Sequence, residues 1–75
     1  TPEQIIEQFE KEIGSLEEQL EDLGHMEEDA QRLSDENGQF IYRVIVGMIE
    51  MLKGAYQSEL ERRKAKSSGG GFPKA

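Results

Sequence analysis

The feature that most constrains this chain is a run of apolar residues at Ile6, Phe9, Ile13, Leu16, Leu20 and Leu23, spaced 3, 4, 3, 4 and 3 apart. A mean period of 3.5 residues places all six on one stripe of an α-helix, and such a stripe requires a second helix to cover it. A β-strand would scatter the same residues over both faces of a sheet. Glu3, Glu7, Glu10, Glu17, Glu18 and Glu21 take the outer positions. Thr1-Pro2-Glu3-Gln4 supplies a start signal: a capping threonine, a proline suited to the first helical position, and a glutamine placed to complete a capping box.

The seam then changes phase. Its next position is residue 27, a glutamate, and Met26, Ala30 and Leu33 continue the stripe one residue early, with Gly24 and His25 at the slip. A three-residue slip overwinds a coil locally, and glycine costs about 1 kcal/mol inside a helix. The first helix is therefore expected over residues 2–34, with a kink at 24–26. Ser34-Asp35-Glu36-Asn37-Gly38 groups residues that cap helices or tolerate positive φ, so the reversal is expected at 35–38. A second helix follows over 39–66, and the polar, glycine-rich residues 67–75 read as a flexible tail. The fold class is all-α: an antiparallel helical hairpin of coiled-coil type, with residue i facing about 73 − i.

Size and composition add a second requirement. Seventy-five residues without cysteine and with one histidine have no disulfide or cysteine-zinc staple, so well-packed helices or association must stabilise the fold. The first helix offers one apolar stripe, whereas the second is apolar around much of its circumference. Ile41, Ile45, Met48, Leu52, Tyr56 and Leu60 are expected to join Ile6, Phe9, Ile13, Leu16, Leu20, Leu23 and Leu33 in the core of the hairpin. Phe40, Tyr42, Val46, Ile49 and Met51 are then left uncovered, which soluble monomers rarely tolerate. The expected partner is a second copy, forming a four-helix bundle, or a helix of another protein. Gly47 and Gly54 share one face, as a close helix crossing requires.

Little in the sequence supports catalysis. No nucleotide-binding glycine pattern occurs, no serine is paired with His25 by spacing, and a hairpin offers no deep pocket. His25 stands among Glu21, Glu28 and Asp29, but in Glu-x-x-x-His spacing on the outer face, so no metal, cofactor or small-molecule substrate is expected.

Charge narrows the partners. Residues 1–61 hold all 16 acidic residues and four basic ones, while residues 62–75 hold five basic residues and no acid. An acidic body repels phosphate, which argues against direct nucleic-acid binding and against an anionic membrane surface. No basic leader or spanning apolar run is present, which points to a cytoplasmic location. The expected function is a non-enzymatic adaptor, assembly or chaperone-like interaction module. The alternative is an acidic inhibitor in which Glu17, Glu18, Glu21, Asp22, Glu28 and Asp29 imitate nucleic acid in a partner's basic groove.

Overall fold

The computed structural model describes the backbone of residues 1–69 and the side chains of residues 1–66. Two helices, α1 (Pro2–Arg32) and α2 (Glu36–Gly69), pack against each other as an all-α hairpin, with no strand among the described residues. The N-terminus of α1 forms the capping box. The Thr1 hydroxyl accepts from the Gln4 backbone N–H at 3.3 Å, and Gln4 Oε1 accepts from the Thr1 ammonium at 3.0 Å. The helix runs without a break through Gly24, His25 and Met26.

The reversal is shorter and earlier than expected. Ser34 adopts φ of 59°, the one non-glycine residue with positive φ among those described. With it, the Asp35 N–H donates to Ala30 O at 2.8 Å and the Ser34 N–H to Gln31 O at 3.1 Å. These bonds make a Schellman motif with serine in the place usually held by glycine. Asp35 then opens α2: its carboxylate Oδ1 accepts from the Gly38 N–H at 3.0 Å, and its carbonyl accepts from the Gln39 N–H at 2.9 Å. One residue thus closes the first helix and caps the second. Asn37 and Gly38, expected in the turn, lie in the first turn of α2. At the other end α2 extends to Gly69, so residues 67–69 are helical rather than tail; the remainder of the expected tail, 70–75, lies outside the described residues.

Moving the turn changes which faces meet. The Glu27–Arg43 and Glu17–Lys53 pairs, at 3.1 and 3.4 Å, set residue i opposite about 70 − i, three residues from the expected register. On α1 the covered positions are Ile6, Phe9, Ile13, Leu16, Leu20, Leu23, Glu27 and Ala30, an unbroken 3–4 repeat. On α2 they are Gln39, Tyr42, Val46, Ile49, Lys53, Tyr56, Leu60 and Arg63, again spaced 3 and 4 throughout. There is no slip at residue 26: Glu27 keeps the heptad position, and Met26 is exposed.

The turn geometry gives two opposed expectations. A Cβ at position 38 would run into the Asp35 carboxylate, so Gly38→Ala should displace the cap and cost about 1 kcal/mol. Ser34→Gly removes the strain of a left-handed non-glycine residue and should add roughly 0.5–1 kcal/mol. Urea unfolding followed by far-ultraviolet circular dichroism checks both: the first midpoint falls and the second rises.

Candidate interaction surface

A pair of helices buries one stripe on each, and α2 carries more apolar surface than one stripe. At 100° per residue, Phe40, Val44, Met48, Met51 and Ala55 fall on one face, flanked by Ile41 and Leu52, centred about 140° around α2 from the seam. All of them are exposed, from 44% at Val44 to 77% at Met51 among the large side chains. Phe40 and Met51, the residues most nearly opposite the seam, are 70% and 77% exposed. At ~150–200 Å² for a large apolar side chain, the six large members leave on the order of 600 Å² wet, the upper end for a soluble monomer. Met48, Met51, Leu52 and Ala55 line a shallow groove within this face. Gly47 and Gly54 border it, and nothing lies within 4 Å of a Cβ built on either.

Membership of this face corrects the sequence reading. Leu33, Ile41, Met48 and Leu52, expected in the core, are exposed. Tyr42, Val46 and Ile49, expected on the outer stripe, are half-buried against α1. The reason is the earlier turn together with polar residues in the seam. Gln39, Lys53 and Arg63 occupy heptad positions of α2 and disguise its repeat, while Ile41, Met48 and Leu52 lie on the side facing solvent. Phe40 and Met51 lie outside, and Ile45, Tyr56 and Leu60 lie on the covered side.

The opposite side of α2 is held by charge and aromatic contacts. Glu27–Arg43, Glu17–Lys53 and Glu10–Lys64 join the helices, each with the acid on α1 and the base on α2. Partly exposed pairs are worth ~0–1 kcal/mol each, so they select antiparallel register more than they add stability. Phe9 meets Tyr56 edge to face, with ring centroids 5.6 Å apart, and the Arg63 guanidinium lies 5.2 Å from the Phe9 centroid. Arg63 Nε approaches Glu59 Oε2 at 2.9 Å but is not aligned to donate a hydrogen bond. Glu59 also receives both Arg62 Nε at 3.1 Å and Arg62 Nη2 at 2.6 Å. These hydrogen bonds, with the charge of the two arginines, outweigh desolvation and hold the Glu59 carboxyl below the usual glutamate range.

The core that remains is thin. Ile13, Leu16, Ala30 and Leu60 are the only buried residues among those described. His25 is exposed, 3.8 Å from Glu28, and no group of three or more acidic or histidine side chains is placed to hold a metal ion among the described residues. No described helix is long and apolar enough to cross a membrane. Comparison with protein-family models, curated proteins and solved structures returns no match.

Two outcomes follow from this division of faces. Leu16→Ala should cost ~2–3 kcal/mol and unfold much of the isolated chain, whereas Met51→Ser, on the wet face, should change the isolated hairpin by less than about 0.5 kcal/mol. Thermal melts of the dilute variants distinguish them. Glu59 has its pKa lowered by folding, so its stabilisation is present above the unfolded-state value and is lost as pH falls through the folded one. Wild type should therefore exceed Glu59→Gln in urea midpoint at about pH 7, and the gap should shrink as pH is lowered through and below the usual glutamate range.

Proposed function

We propose that this chain is a non-enzymatic protein-interaction module, an adaptor or assembly hairpin that works by burying the outward face of α2. The observation that supports this is the contiguous apolar face from Phe40 to Ala55, turned away from the seam on a helix whose other side packs against α1. Between residues 40 and 55 the only charged residues are Arg43, Glu50 and Lys53, and none lies on that face. Covering it yields ~25 cal/mol per Å² of apolar surface without reorganising the seam. A helix laid along α2 fits the length available, about 22 Å at 1.5 Å per residue.

α1 contributes orientation and solubility. It holds eleven acidic and two basic residues, so its outer side repels other copies of itself and leaves the α2 face as the surface free to associate. A photo-crosslinking side chain at position 51, compared with one at position 18, tests the reading in extracts of the source cells. Protein adducts should form from position 51 and persist in about 0.5 M salt, where charge contacts beyond a few ångströms are screened. Adducts arising from position 18 and lost in salt would instead support an acidic mimic acting through α1.

A further inference from the structure

Resting on that reading, we infer that the occupant of the α2 face is a second copy of the same chain, with the two α2 helices antiparallel. The first argument is the order of side-chain sizes along the face. Laying α2 against a reversed copy about a two-fold axis between residues 47 and 48 sets Phe40 opposite Ala55, Ile41 opposite Gly54, Val44 opposite Met51 and Met48 opposite Gly47. Three of these four contacts put a large side chain against alanine or glycine. Gly47 and Gly54 have open space above them for such a neighbour. In a parallel pairing Phe40 would meet Phe40 and Met51 would meet Met51, and the glycines would face each other across a gap. Well-packed helix crossings interdigitate large residues with small ones.

The second argument is charge. Glu36 stands one turn before Phe40, and Arg62 lies on the same face beyond Ala55. An antiparallel pair sets each Glu36 beside the other copy's Glu59–Arg62 pair, within about one turn of Arg62, and opposes the two helix dipoles, while a parallel pair stacks like charge at both ends. The third is the placement of α1. Because the face is about 140° from the seam, the two α1 helices fall on opposite sides of the central α2 pair, with their acidic outer surfaces far apart. The four helices therefore form an open layer rather than a square bundle. The order of 600 Å² covered on each copy approaches the ~800 Å² per partner of a standard interface.

Sedimentation equilibrium of the purified 75-residue chain provides the test. At about 100 μM the mass should be near twice the 8.5 kDa of one chain, and Val44→Glu/Met51→Glu should return it to one chain with helicity retained, since both residues are exposed in the hairpin. The chain has no cysteine, so orientation is read by disulfide trapping. An equimolar mixture of Val44→Cys and Met51→Cys chains should oxidise mainly to the mixed dimer. Each alone should cross-link poorly, because like positions lie seven residues, about 10 Å, apart along the axis. A wild-type mass of one chain overturns the self-pairing, and adducts of other proteins at position 51 would then leave the docking reading standing. A dimer that survives the double glutamate variant, or that cross-links best through Val44→Cys alone, also overturns it.

Discussion

Everything in this molecule follows from the geometry of two helices in contact. A helix pair shares one seam, and each member turns most of its circumference to water. With no third helix or strand among the described residues and no cysteine for a disulfide, the hairpin depends on how well that single seam is made. Here it is a continuous heptad on both helices, with Ile13, Leu16 and Leu60 among its few buried points. The seam positions taken by Glu27 and Lys53 keep their charged ends at the border and pair with Arg43 and Glu17. Apolar stems can cover a seam while charged tips reach solvent, so these residues extend the contact without a buried charge.

The same geometry explains why the outer face of α2 can be exposed at all. A residue that the hairpin does not use for its own packing is free to be apolar, provided that something else covers it or that the remainder of the surface keeps the chain in solution. The two helices differ in pattern: α1 is amphipathic in one direction, whereas α2 is apolar in two directions, with Arg43, Gly47, Glu50, Gly54, Gln57 and Glu61 forming a narrow line on one side between them.

Much of the fold was legible in the sequence because its signals are local and redundant. The Thr1 to Gln4 start and the six-residue seam of α1 each carry a single interpretation. The turn was misplaced because Asn37-Gly38 is the louder signal, while the residue that reverses the chain is Ser34, in a conformation serine seldom takes. The existence of an uncovered face was legible from the excess of apolar residues on α2. Its membership was not, because Gln39, Lys53 and Arg63 hide a regular heptad from any reading based on hydrophobicity alone. Glu27 did the same on α1, where a charged seam residue was read as a change of phase. Tertiary pairing with Arg43, sixteen residues away, is what makes that position tolerable, and no local pattern reports it.

The glycines within the helices have a consequence for how the hairpin comes apart. At the observed register Gly24 lies level with Gly47, and Gly14 nearly level with Gly54. None of the four has a neighbour within 4 Å of its missing side chain. Each lowers helix propensity by about 1 kcal/mol relative to alanine. Intrinsic helix propensity is therefore lowest on both rails at the same two heights, like matched perforations. These heights divide the molecule into three segments: one next to the Leu33–Asp35 turn, one in the middle around Leu20 and Ile49, and one at the open end around Phe9 and Leu60. Fraying of either helix starts most easily at these heights, while parting the helices at Gly14 and Gly54 also uncovers Ile13 and Leu16, buried in the seam beside them.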